Sequence, residues 1–170
     1  FENMLINEVS FINVGQGDST LIQYHGETYL IDTGGLTYKD VADDCLINYF
    51  KKKRIYKIDY VFITHNDLDH YGALSSLCSN FNVGNVINYN TDYSNYKMKL
   101  KFKDLNIERG KYEEENDKSL VLYFTIKNNK FLIMGDASKK VENDIMKNFN
   151  IDIDYLKFFI ISFSTFFDAS

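Results

Sequence analysis

A chain of 170 residues is long enough to bury a core of its own and points to one domain rather than several. Its 45% hydrophobic and 25% charged residues make a globular mix, and no apolar run reaches the roughly 18 residues of a membrane-crossing helix. The net charge of −5 excludes the broad cationic surface on which general nucleic-acid binding depends. No basic segment followed by an apolar one opens the chain, so no secretion signal is read there and a cytoplasmic location is expected. The two cysteines, Cys45 and Cys78, fall within expected helices and read as small core residues in a reducing compartment.

Taken in order, Leu5 to Val14 alternates well enough for a first strand. Gly15-Gln16-Gly17-Asp18 reads as a turn, because glycines permit backbone angles other residues avoid. Ser19 to Tyr24 and Thr28 to Ile31 form a hairpin around His25-Gly26-Glu27, with His25 a surface residue at its tip. Asp32 closes the third strand ahead of Thr33-Gly34. Tyr38 to Arg54 fits a helix, Ile58 to Ile63 a buried strand, Tyr71 to Cys78 a second helix and Val83 to Tyr89 a further strand. Thr91 to Glu115 is polar and irregular, with a strand expected at Asp104 to Arg109. Two basic clusters, Lys51 to Arg54 and Lys97, Lys99, Lys101 and Lys103, read first as solvated surface; the second would share one face of an extended segment, which makes it the better candidate strip for phosphate contact. Leu120 to Ile126 and Lys130 to Met134 pair across Asn128-Asn129. Ser138 to Asn148 is a helix with Ser138 as its N-cap, and Ile153 to Phe159 begins a last strand.

The chemistry concentrates at Thr64-His65-Asn66-Asp67-Leu68-Asp69-His70. His65, Asp67, Asp69 and His70 are four potential metal ligands within six residues, and two of the chain's three histidines fall there. They follow a buried strand and precede a helix, so rigid elements on both sides would hold the ligand turn. Residues two apart on an extended segment point the same way, so His65 and Asp67 can reach one metal. Asp69 and His70 follow at the bend and would be aimed at a second. Imidazole with carboxylate suits zinc, and the carboxylate-rich set also admits manganese.

This arrangement, His-x-Asp-x-Asp-His after an apolar strand, resembles the ligand motif of the metallo-β-lactamase superfamily. Where Asp67 stands the common form has histidine; the aspartate variant resembles the branch of ComEC-type competence proteins involved in DNA uptake by bacteria. Other segments agree in order: Val14-Gly15-Gln16-Gly17-Asp18-Ser19 with that branch's opening signature, Leu30-Ile31-Asp32-Thr33-Gly34 with the superfamily's first motif, Asn116 to Leu122 with an Asn-x-x-Ser strand, and Leu132-Ile133-Met134-Gly135-Asp136 with a strand ending in Gly-Asp. The match runs from about Phe11 to Lys157. Asn13 departs mildly from the usual Asp.

The resemblance implies an α/β fold, an αβ/βα four-layer sandwich with its ligands at one rim, formed as a single domain over residues 1–170. It implies two divalent ions, zinc or alternatively manganese, one held by His65 and Asp67 and the other by Asp69 and His70, with Asp136 bridging and Asp69 and Asp136 in catalytic roles. Asp32 and Asp18 would support the ligands by hydrogen bonds without binding metal. The implied activity is phosphodiester hydrolysis, with DNA as partner. The family normally continues after Asp154-Tyr155-Leu156-Lys157 into a His-His-Gly-Ser-like segment, whereas no histidine follows His70 here. C-terminal elements are therefore expected to be missing and the activity impaired, and a reading-frame slip near Phe159 would turn Ile160-Ile161 into two histidines. Asp92, Asp117 or Asp168 could supply a compensating ligand. A catalytically dead binding module, or a thioester or ester hydrolase on the same metals, remain the alternatives. Nothing in the sequence selects an oligomeric state.

Overall fold

The computed structural model describes residues 6–157. Among the described residues, nine strands form two sheets. In the first, β1 (Asn7–Phe11), β2 (Thr20–Tyr24) and β3 (Glu27–Ile31) run antiparallel as a meander, and β4 (Ile58–Ile63) and β5 (Val83–Asn88) add in parallel, in the order β1-β2-β3-β4-β5. The second has the order β6-β7-β8-β9, from Lys103–Asp104, Leu122–Ile126, Asn129–Ile133 and Tyr155–Lys157, with the last pair parallel.

Alternation along the strands decides the layering, since successive side chains leave a strand on opposite faces. Ile22, Tyr29, Ile31 and Phe62 meet Leu122, Phe124, Ile126 and Ile133 between the sheets. Their neighbours Leu21, Leu30, Val61 and Ile63 turn the other way, under Leu46, Phe50, Ala73 and Leu77 of the helices. On the far side of the second sheet, Leu132 and Met134 are covered by Val141 and Ile145 of α4 (Lys139–Asn148). The result is the expected four-layer sandwich. Each fully buried side chain of this kind is worth about 1.5–3 kcal/mol, against about 0–1 kcal/mol for an exposed ion pair, so the apolar layers hold the fold. No helix among the described residues is long and apolar enough to cross a membrane.

Local boundaries differ from the sequence reading for identifiable reasons. The first strand is described as Asn7–Phe11 and ends before Ile12, three residues short of the expected Val14, while Leu5 lies outside the described residues. The helix expected from Tyr38 starts later because Asp40 Oδ1 accepts from the amides of Ala42 and Asp43, which makes Asp40 the capping residue. It opens with a π-helical turn, Ala42–Leu46, before α1 (Ile47–Lys52). The helix expected at Tyr71 to Cys78 is two short ones, α2 (Leu68–Tyr71) and α3 (Leu74–Asn80). The strand expected at Asp104 to Arg109 stops at Asp104, where Asp104 Oδ1 accepts from Asn106 N and folds the chain out of the ladder. The Asn116 to Leu122 segment is a 3₁₀ turn (Asn116–Lys118) leading into β7, with Asn106 Nδ2 donating to the carbonyls of Asp117 and Ser119. Ser138 caps α4 as expected, accepting from Lys140 N. Cys45 is half-buried and Cys78 is exposed, because α3 buries the adjacent Leu77 instead. The last strand is described as Tyr155–Lys157; Phe158, Phe159 and the Ile160-Ile161 and Asp168 positions lie outside the described residues.

Candidate metal centre

Three strand ends converge on one rim. β3 delivers Asp32, β4 delivers Thr64 and His65, and β8 leads through Gly135 to Asp136. His65, His70 and Asp136 bring their ligand atoms within 4.8 Å of one another, with both histidines buried. His70 Nε2 stands 3.1 Å from Asp136 Oδ1, and His65 Nε2 is 3.6 Å from Asp136 Oδ2.

Both rings are held from behind. Asp32, only 1% exposed, lies 2.9 Å from His70 Nδ1 and accepts from Thr64 N and Thr64 Oγ1, each at 2.8 Å. Thr64 Oγ1 in turn lies 3.1 Å from His65 Nδ1. A carboxylate behind one nitrogen of an imidazole fixes the tautomer and leaves the other nitrogen to a metal. Asp32 adopts φ +59°, a left-handed conformation that aspartate tolerates better than most residues. That backbone turn is what aims its carboxylate back across the end of β4.

The electrostatics favour positive charge at the convergence point. Burial works to lower the His70 pKa, but the carboxylates of Asp136 and Asp32 reverse this and push it up to about 10. Burial would raise Asp136, and His65 and His70 more than offset it, holding its carboxyl far below the usual range. His65 Nε2 is buried without a hydrogen-bond partner. A buried nitrogen left unpaired costs about 1–3 kcal/mol. Two imidazole nitrogens and a carboxylate, one nitrogen unsatisfied, fit a borderline-soft divalent cation such as zinc.

The other expected ligands separate. Asp67 Oδ2 is 3.5 Å from His65 Nε2, as the two-residue spacing requires, but its side chain is 47% exposed at the edge of the cluster. The carboxylate of Asp69 does not join the three-residue cluster. The cause is the early start of α2: His70 N and Tyr71 N both donate to Asp67 O, so Asp69 and His70 lie on a helical turn. Neighbours on a helix diverge by about 100°, so turning His70 inward turns Asp69 away. Asp18 approaches from the side; its amide donates to Asp69 O and its carboxylate pairs with Lys157. Of the proposed compensating ligands, Asp117 accepts from Ser138 N and Asp92 from Ser94 N, and neither joins the cluster.

Two glycines permit the close approach. A Cβ on Gly17 would collide with the carbonyl of Asp69, and one on Gly135 (φ +56°) would sit 2.9 Å from Thr64 Oγ1. The roles of Thr64, Gly17, Gly135 and Lys157 escaped the sequence reading; the only signal was their position beside the ligand and Gly-Asp motifs. The lysine face is real but distant. Lys97, Lys99, Lys101 and Lys103 are exposed while Met98 and Leu100 are buried between them. Lys99, however, donates to His25 O at the hairpin tip, at the opposite end of β2 and β3 from Asp32, and Lys103 lies 4.5 Å over the Phe149 ring. His25 is exposed, as expected.

The sequence has recognisable relatives among known proteins. The sequence model of the metallo-beta-lactamase superfamily matches residues 12–108. The chain is 26% identical over 191 residues to ComE operon protein 3 of Bacillus subtilis strain 168, a stretch covering 88% of this chain. It spans about a quarter of the length of that curated relative (25%). Among solved structures, a diphosphatase of the PhnP family aligns with 75% of this chain and 56% of its own, at 16% identity and a TM-score of 0.45. A quorum-quenching N-acyl homoserine lactone lactonase aligns with 76% of this chain and 71% of its own, at 12% identity and a TM-score of 0.47. The sequence match over residues 12–108 carries the assignment.

Proposed function

Because the chain belongs to the metallo-beta-lactamase superfamily, we propose that it derives from a metal-dependent phosphodiesterase of the ComEC type, with DNA as substrate. The observation that carries the reading is the convergence of His65, His70 and Asp136, with Asp32 and Thr64 holding the rings from behind. The aspartate at position 67 and the Val14 to Ser19 signature favour that branch over the thioester hydrolases that the same fold could host.

A divalent ion at this cluster, zinc or alternatively manganese, would supply Lewis-acid activation of a water and of the scissile phosphate. The protein's own contribution is positional and electrostatic. Asp32 fixes the orientation of His70, and Thr64 that of His65. Asp67, open to solvent beside His65, is placed to complete a ligand set or to accept a proton from the attacking water. Asp69 would serve a second ion only after its carboxylate turned in from the helical position it holds outside the cluster. The reading takes the chain as one hydrolase domain working in the cytoplasm. Because the cluster among the described residues has three members, a domain that binds metal without turnover is the second reading.

Elemental analysis of the purified chain should find bound zinc or manganese, and single- and double-stranded oligonucleotides should be cut slowly with added metal. Asp136→Asn should abolish both. Metal binding without cleavage of either DNA or a simple phosphodiester would select the binding domain; a folded chain that takes up no metal would overturn the proposal.

A further inference from the structure

Resting on the reading of His65, His70 and Asp136 as metal ligands, we infer that Lys157 is a positioning residue for that centre. Its ion pair with Asp18 ties the second sheet to the loop that carries the histidines. Lys157 ends β9, and its carbonyl accepts from Met134 N at 3.0 Å, two residues before Asp136. Its ammonium lies 3.0 Å from Asp18 Oδ1 and donates to Thr20 Oγ1, also at 3.0 Å. Both charged side chains are largely buried, at 13% and 11% exposure. On the other side, Asp18 N donates to Asp69 O, immediately before His70, and Asp18 O accepts from Gly34 N. Hydrogen bonds and short backbone steps therefore connect the strand end that presents Asp136 with the turn that presents His70.

This link has a task the apolar layers cannot perform. Hydrophobic contact between sheets is non-directional and tolerates small sliding, whereas ligand sets need placement to within about 0.5 Å. A charged hydrogen bond with both partners out of solvent is directional and stiff. The pair is also self-enforcing. Burial pushes the Asp18 carboxyl up and neighbouring Asp32 adds to this, while Lys157 pulls it down. Without the ammonium, Asp18 is a buried carboxylate facing a second one.

The test compares the parent chain with Lys157→Met, Lys157→Arg and the double variant Lys157→Met/Asp18→Asn. Zinc affinity is measured by chelator competition, the Co²⁺ absorption spectrum reports ligand geometry, and urea unfolding of the metal-free proteins reports stability. Lys157→Met should weaken zinc binding about 10–100-fold, as loss of groups behind the ligands does elsewhere, and shift the Co²⁺ bands. Lys157→Arg keeps the charge and should stay nearer the parent. The double variant leaves no uncompensated buried charge and should regain stability without regaining affinity or spectrum. It carries the test if Lys157→Met does not fold. Zinc affinity in Lys157→Met within about twofold of the parent, or recovery of affinity together with stability in the double variant, would overturn the inference. A parent chain that binds neither zinc nor cobalt would instead overturn the reading of the site itself.

Discussion

Replacing Asp32 with Asn is the sharpest perturbation of the centre that leaves shape unchanged. The carboxylate receives Thr64 N on one oxygen, and Thr64 Oγ1 and His70 Nδ1 on the other, all within 2.9 Å. Asparagine keeps one acceptor and replaces the other with a donor. Whichever way the amide is turned, an N–H faces either the Thr64 amide or the His70 ring. One hydrogen bond to a charged group is lost, worth about 1.5–3 kcal/mol, and one buried donor is left opposed, at about 1–3 kcal/mol. Relaxation of the Thr64 hydroxyl recovers part of this, which leaves about 3 kcal/mol of destabilisation. Asparagine also tolerates the left-handed backbone at this position, so the loss is electrostatic; Asp32→Ala should cost about 1 kcal/mol more from backbone strain. Urea unfolding of the metal-free protein, read as a midpoint shift at constant slope, measures the first quantity. Chelator competition should show zinc affinity reduced about 10–100-fold. A stability change below about 1 kcal/mol with unaltered affinity would refute the assignment of Asp32 as the residue that holds Thr64 and His70.

Gly135→Ala combines a left-handed backbone with a Cβ 2.9 Å from Thr64 Oγ1 and 3.2 Å from Ser119 Cβ; urea unfolding should show a loss of about 1–3 kcal/mol. The Lys53–Glu8 pair gives a pH signature. Its hydrogen bond to Lys53, helped by Ser10, holds the Glu8 pKa below 4.5, so the contribution is present above that value and disappears as pH falls through the folded-state value. Both side chains are partly exposed (30% and 41%), so Lys53→Met should cost under about 1 kcal/mol at neutral pH, and its melting curve should merge with the parent's in acid. Saturating zinc at about 100 times its dissociation constant should raise unfolding free energy by about 2.7 kcal/mol in the parent, and by far less in His65→Ala.

The individual strands were legible from local apolar pattern, and the four-layer arrangement from the family resemblance. Which face each residue takes, Leu21 against Ile22 and Val61 against Phe62, is settled only by the packed sheets. The meeting of His65, His70 and Asp136 was legible from motif order alone. What failed is what local pattern does not decide. The sequence reading places Asp69 and His70 together at a bend aimed at a second metal, whereas the bend is a helical turn that carries His70 into the cluster without Asp69. Asp67 stands at the N-cap of that helical turn, a residue type that favours a helix start, so the signal is in the sequence but reads there as a ligand instead. The pairing of Lys157 with Asp18 joins residues from opposite ends of the chain, and neither side chain announces its partner. Asp40 and Asp104 moved boundaries by accepting from backbone amides, an option open to any Asp or Asn and used at few of them.

The convergence of His65 with Asp136 has a topological consequence. One ligand hangs from each sheet, about 70 residues apart along the chain, so an ion held by both acts as a clasp across a long loop. By the relation used for disulfides, closing a loop of that length removes chain entropy from the unfolded state equivalent to about 4 kcal/mol. Such a clasp would stiffen the rim between the two sheets whether or not substrate is turned over there.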